Sequence, residues 1–259
     1  MTAVAETLLL AGRSLRHIPR VPEKLADVTV QPVIFVLAFA YVFGSAIGLR
    51  GGGSYREYLI AGMFAQGMIG PLMGIAVGTA EDIRTGLVDR LRALPISRIS
   101  VLAGRALSEV AQMVLGLATL TAIGLVVGWA PHGSVGETVA AYALLVLWSF
   151  AGVWIGTLLG MLVRDGETAQ ALGFTVFFPF IFLSGIFVPI AGLPAPLRQI
   201  AEWNPLSAVA TAVRELFHNP APHASDAWPL THPVAATVLY SVAIIAIVAP
   251  LAVRRYRRL

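Results

Sequence analysis

The chain has 259 residues, 57% of them hydrophobic and 12% charged, with a formal net charge of +4. A soluble domain carries about 25% charged residues, so this surface is too apolar to face water on all sides, and the composition describes an integral membrane protein. The absence of cysteine excludes disulfides and thiolate metal sites. The pI near 9.8 reflects basic residues flanking apolar runs, which membrane topology explains and nucleic-acid binding does not.

Along residues 4–18, Val4, Leu8, Ala11, Leu15 and Ile18 share a helical stripe with Arg13, Arg16 and Arg20 largely off it. This pattern predicts an interfacial helix within an N-terminal segment 1–27, and Pro19 and Pro22 turn the chain toward the first span. Because Glu6 precedes the short apolar run and the basic cluster follows it, the segment does not read as a cleavable signal.

Six apolar runs are long enough to cross a hydrocarbon core, which takes about 20 helical residues. They lie near 28–49, 57–79, 101–129, 137–163, 168–190 and 233–253. The expected fold is therefore all-α, with six transmembrane helices in a domain 28–253 and a basic tail 254–259. With the N-terminus inside, 14 of the 18 basic residues fall on the cytoplasmic side, leaving Arg50, Arg56, Arg198 and Arg214 outside. Both termini are accordingly expected in the cytoplasm.

Span 2 carries Gln66, Met63, Met68 and Met73, and glycines recur at Gly70, Gly74 and Gly78, as they do in span 4 at Gly152, Gly156 and Gly160. Such spacing permits close backbone approach, a pattern that fits a dimer seam as well as ordinary membrane packing. Span 5 is rich in phenylalanine, with Pro179 predicted to bend it. Its aromatic faces suit planar amphiphiles as readily as lipid.

The connector between spans 2 and 3 gathers Glu81, Asp82, Arg84, Asp89, Arg90, Arg92, Arg98 and Arg105. Insertion into lipid would cost about 2.5–3.5 kcal/mol per central Arg or Asp, so the segment belongs to the cytoplasmic side. Ile83, Leu87, Leu91 and Leu94 fall at helical spacing, the acids open the segment, and Arg90 and Arg92 close it before Pro95. This order predicts a short amphipathic helix over about 80–98. A surface linker and a lever that docks on a partner both fit these residues.

No nucleotide site of its own is expected in this chain. Lys24 is the only lysine, so no phosphate-binding loop ending in Gly-Lys-Ser/Thr can form. Leu183-Ser184-Gly185 begins like a transport-ATPase signature but lies inside an aromatic span. Ion coupling would require ionisable residues at membrane depth, and the spans carry almost none: Glu109 sits i,i+4 from Arg105, near the cytoplasmic face.

Between spans 5 and 6, over about 191–232, Leu206, Val209, Ala210, Val213 and Phe217 mark a helical segment. At 1.5 Å per residue a dozen residues reach about 18 Å, too short to cross, so the segment is predicted to re-enter the outer leaflet. Trp203 is an interfacial anchor type, and Asn204-Pro205 marks a helix start.

Two stretches carry a family resemblance. TGLVDRLRALPISRISVLAGR, and EDIRTGLVDRLRALPISR within the same connector, resemble ABC-2 type transporter permeases, in particular the daunorubicin-resistance exporter permeases of actinobacteria. FLSGIFVPIAGLPAPLRQIAEWNPLSAVATAVREL, from Phe182 to Leu216, resembles the outer-loop pattern of the same family. The resemblance implies a homodimeric permease in the cell membrane that pairs with two copies of a cytoplasmic ATPase subunit, which binds the ATP and Mg. It implies that Glu81, Asp82, Asp89, Arg90, Arg92 and Pro95 contact or position the ATPase. It further implies that Gln66, Met73, Phe174 and Phe178 line a substrate cavity, which Trp203, Asn204 and Pro205 cap from outside. A membrane enzyme acting on lipids or prenyl groups, and a non-transporting sensor, are the competing functions.

Overall fold

The computed structural model describes residues 53–70, 72–86, 98–221 and 225–258, with scattered positions between 34 and 49. All regular structure among these residues is helical. The predicted N-terminal interfacial helix and most of the first predicted span lie outside them, as do Asp89, Arg90, Arg92 and Pro95.

Helices α1 (Tyr55–Ile69) and α2 (Leu72–Arg84) together form one apolar stretch, Tyr55–Arg84, long enough to cross a membrane. The expected span 57–79 falls within this stretch, and Gly70, which ends α1, keeps helical geometry with its amide donating to the Gln66 carbonyl at 2.7 Å. The next residue in the sequence is Pro71. Helix α2 runs further than expected, to Arg84. Glu81 and Asp82 therefore close α2 instead of opening a separate connector helix. Glu81 pairs with Arg84 one turn on, and the chain leaves the helix through Thr85 and Gly86, whose φ of 71° is the left-handed conformation glycine adopts without strain.

Helix α3 (Arg98–Val126) turns at Gly128, where the Trp129 amide donates to the Gly124 carbonyl at 2.8 Å. The Trp129 indole packs over Gly124, where a Cβ would meet it at 2.9 Å. Helix α4 (Val135–Leu162) begins with a complete capping box, Ser134 and Glu137 each satisfying the other's amide. Long, apolar and largely buried, α4 is the hub of the bundle, touching α1, α2, α3 and the later helices α7 and α9.

Helix α5 (Gly166–Phe182) is capped by Asp165, which accepts from the Thr168 amide at 2.7 Å. It contains Pro179 and stops at Phe182, eight residues before the predicted end of that span. A 3₁₀ turn (Ile190–Gly192), α6 (Ala195–Trp203), α7 (Pro205–Leu216) and the single turn α8 (Trp228–Thr231) follow. Helix α9 (Pro233–Arg258) is the third long apolar helix among the described residues, and it runs on through Arg254 to Arg258 of the predicted basic tail.

The small-residue stripe of α4 has a partner inside the chain. A Cβ on Gly156 would come within 2.6 Å of the Leu72 carbonyl, one on Gly152 would lie 3.4 Å from Ile69, and Gly160 faces the Ala76 carbonyl. These glycines let the α2 and α4 backbones touch, so the span 4 stripe is an intramolecular seam. Gly74 on α2 faces open space.

Candidate functional site: a polar plug above an aromatic wall

At one end of the bundle the chain leaves α5 and doubles back through residues 183–204, where backbone groups are freed from the regular helix. Each buried polar group left unsatisfied would cost several kcal/mol, so such backbone must be tied down by the protein. Asn204 supplies the first tie. Its Nδ2 donates to the Phe180 carbonyl at 2.8 Å and the Leu183 carbonyl at 3.0 Å, capturing the carbonyls freed at the end of α5. Its Oδ1 accepts from the Leu206 amide at 2.9 Å and so caps α7. Pro205 follows at N1, where its missing amide is harmless.

A second tie comes from Ser207, whose Oγ accepts from the Gly185 amide at 3.2 Å. The tyrosines that open α1 reach the same loop: Tyr58 donates to the Gly185 carbonyl and Tyr55 to the Phe187 carbonyl at 2.8 Å. Arg214 completes the set. It is 3% exposed and donates from Nε to the Tyr58 carbonyl at 3.0 Å and from Nη2 to the Ile186 carbonyl at 3.1 Å. Among the described residues no carboxylate pairs with it, and the face of the Tyr58 ring supplies the remaining electrostatic support.

Helix α7 is thus enclosed: Leu206, Val209, Ala210 and Val213 are fully buried against α1, α4 and α9. Arg214, one of four basic residues assigned to the outer aqueous side, is a buried structural donor. A legible signal was present, because Ser207, Thr211, Arg214 and His218 form a polar stripe at 4-3-4 spacing beside the apolar one. The apolar stripe alone gave no reason to look for it.

Around the plug, further ties join the same end. Trp129 donates to Asn219 Oδ1 at 2.7 Å, Arg56 donates to the Val127 carbonyl at 3.1 Å, and His132 and His218 contact Glu57 and Glu137 at 3.0 and 3.1 Å. Trp203 is 59% exposed at the end of α6, and its carbonyl accepts from Tyr240 of α9 at 3.4 Å.

Below the plug, the predicted cavity residues divide. Phe174 and Phe178 stack at 4.9 Å, and the ladder continues through Phe182 at 4.5 Å to Phe187 at 5.4 Å. Its first three rings are exposed on the bundle surface. Met73 joins this wall, because its thioether fills the place a side chain at Gly173 would take. Gln66, on α1, lies about 10 Å from Met73 along a helix at 1.5 Å per residue. Its Oε1 is enclosed without a hydrogen-bond partner.

The opposite end holds the described part of the connector. Glu81 and Asp82 sit in the last turn of α2, and Asp165 lies close enough to act electrostatically on both Glu81 and Arg84. The Asp165 carboxyl is held below its ordinary range, chiefly by hydrogen bonds from the Thr168 backbone and then its side chain, with smaller help from Arg164 and Arg84. Met161 and Tyr256 form a small apolar cluster here, with Ile83 packed against it.

A family profile described as ABC-2 type transporter matches residues 5–218. The chain is 33% identical over 258 residues to the daunorubicin resistance ABC transporter permease protein DrrB1 of Streptomyces coeruleorubidus, covering 99% of this chain and 87% of that one. It is 26% identical over 220 residues to the putative transport permease ycf38 of Porphyra purpurea, covering 83% of this chain and 75% of that one. To the probable multidrug ABC transporter permease YbhR of Escherichia coli it is 21% identical, over 63% of this chain and 44% of the relative.

Proposed function

Because the chain belongs to the ABC-2 type transporter family, we propose that it is the permease subunit of an ATP-driven exporter for a hydrophobic or amphiphilic compound. The observation that carries this reading is the end-to-end similarity to a daunorubicin resistance permease. In this reading six spans cross the cell membrane with both termini cytoplasmic. Two copies of the chain pair with two copies of a cytoplasmic ATPase, which holds the ATP and Mg.

The plug and the wall suggest how such a subunit works. The plug is tied to α1 through Tyr55, Tyr58 and Arg214, whereas α2 continues directly into the connector. Closure of the ATPases would push on 81–95, with Glu81, Asp82, Asp89, Arg90, Arg92 and Pro95 as contact or positioning residues. The push would tilt α2 about Gly70-Pro71 while α1 stays with the plug. Met73 would carry the tilt to α5 and its phenylalanine ladder, the surface turned toward the second copy. Gln66, Met73, Phe174 and Phe178 would then contact cargo, and Trp203, Asn204 and Pro205 would gate its exit. Net export requires the inward state to bind cargo more tightly than the outward one.

Purification from native membranes in mild detergent, mass identification of companions and an ATPase assay test the reading. A stoichiometric partner bearing a phosphate-binding loop supports it, together with hydrolysis that becomes insensitive to cargo in the Asp89→Ala/Arg90→Ala variant. Isolation of the chain alone, or unchanged ATPase binding and efflux in that variant, overturns the coupling.

A further inference from the structure

Helix α9 is bathed on one side along its whole length: only 17% of its most apolar stretch is buried, against 61% for α4. Ile247 and Leu251 are 62% and 45% exposed. At 4-3-4 spacing this stripe continues through Arg254 and Arg258, both exposed. An apolar stripe that ends in arginines has the chemistry of a bilayer cross-section, acyl chains first and headgroups after.

The last turn is held in place. Tyr256 is 3% exposed in the cluster with Met161, and Arg255 donates from Nε to the Met161 carbonyl at 3.3 Å, near the end of α4. With Arg255 and Tyr256 fastening the inner face, Arg254 and Arg258 are presented outward. Exposed Arg164, in the turn between α4 and α5, adds a further positive charge at this end of the bundle. The acids described here lie by α2 and α5: Glu81 is paired with Arg84, Asp165 caps α5, and Asp82 and Glu167 stand in the same two helices.

We propose that the last turn of α9 is a binding site for the phosphate headgroups of anionic phospholipids. A guanidinium fork matches a phosphate bidentately and is weakly hydrated, so two such groups at headgroup level favour an anionic lipid over a zwitterionic one. Lipid is favoured over a protein partner because the exposed stripe leading into Arg254 and Arg258 belongs to a helix apolar and long enough to cross a bilayer. The site does not depend on the exporter reading.

The full-length chain is purified in detergent and titrated with phosphatidylglycerol or phosphatidylcholine, with retained lipid counted by native mass spectrometry and melting followed in parallel. Phosphatidylglycerol is expected to be retained at least severalfold more, with the preference weakened at about 1 M salt, where the Debye length shrinks to about 3 Å. The Arg254→Gln/Arg258→Gln variant is expected to lose the preference while melting normally in phosphatidylcholine. Arg254→Lys/Arg258→Lys should keep the part of the preference that depends on charge and lose the part that needs the bidentate fork, which separates charge loss from misfolding. Equal retention of the two lipids, or an unchanged preference in the glutamine variant, overturns the proposal. So does a photo-crosslinker at position 254 that captures protein instead of lipid in native membranes.

Discussion

The Arg214 guanidinium carbon lies 3.6 Å from the centroid of the Tyr58 ring, and the same side chain donates to the Tyr58 backbone carbonyl at 3.0 Å. One residue of α7 therefore grips both the side chain and the main chain of α1. Through its second bond, to the Ile186 carbonyl, it also holds the loop that leaves α5.

Replacing Arg214 with methionine keeps bulk but orphans these contacts, at about 1–3 kcal/mol for each buried acceptor left unpaired. The variant is expected to melt well below the parent in detergent. Arg214→Lys is expected to recover only part of the loss, because an ammonium cannot reproduce the two-pronged geometry or the flat stacking. Equal melting of parent and methionine variant would show the grip to be unimportant.

Asn204 acts as both donor and acceptor, and two substitutions separate the roles. Asn204→Asp retains the acceptor for Leu206 but cannot donate to the Phe180 and Leu183 carbonyls. Asn204→Ala loses both functions, with about 0.5–2 kcal/mol attributable to the cap alone. The expected stability order is Asn, then Asp or Ala well below, with proteolysis increased near residues 183–190. An aspartate variant as stable and as protease-resistant as the parent would reduce Asn204 to a helix cap.

The α2–α4 seam predicts opposite outcomes for two glycines. Gly156→Ala pushes a methyl to within 2.6 Å of the Leu72 carbonyl, and overpacking of this kind costs about 1–3 kcal/mol. Gly74→Ala meets nothing within 4 Å and is expected to gain about 0.5–1 kcal/mol from helix propensity. Thermal unfolding of the two variants, measured side by side, checks the assignment; equal shifts would contradict it.

Asp165 supplies a pH signature. Its folded pKa is depressed, so its contribution is complete above the unfolded value of about 3.9 and fades as pH falls through the lower folded value. Between pH 5 and 8 it contributes no pH dependence. Comparing melting of the parent with Asp165→Asn from pH 6 to pH 3 should show the difference between them changing only in the acid arm. A difference that varied near neutrality would assign the cap a different role.

Much of the fold was legible because membranes restrict the alternatives. Val135–Leu162 and Pro233–Arg258 appear within a few residues of their predicted positions, since backbone in lipid must bond to itself and helices do so in runs of about 20 apolar residues. The short α7 was likewise set by its period and its Asn204-Pro205 start. The end of α5 was misplaced because residues 183–190 are as apolar as the helix before them. Composition does not reveal that Asn204 takes the carbonyls that would have continued it. Glu81 and Asp82 were assigned to a separate helix because charge order suggests a start, whereas the turn that ends α2 lies at Gly86.

By itself, the sequence determined that this is a helical membrane protein, where its long helices lie, and which segments carry charge. Tertiary structure decided that Arg214 is buried, that Gly156 meets Leu72, and that Phe174, Phe178 and Phe182 of α5 face outward while Phe177 and Phe180 pack inward. Lipid tails are as apolar as a protein interior, so hydrophobicity identifies a membrane helix without saying which of its faces meets protein. Only contacts between residues far apart in the chain, such as Tyr58 with Arg214, make that distinction.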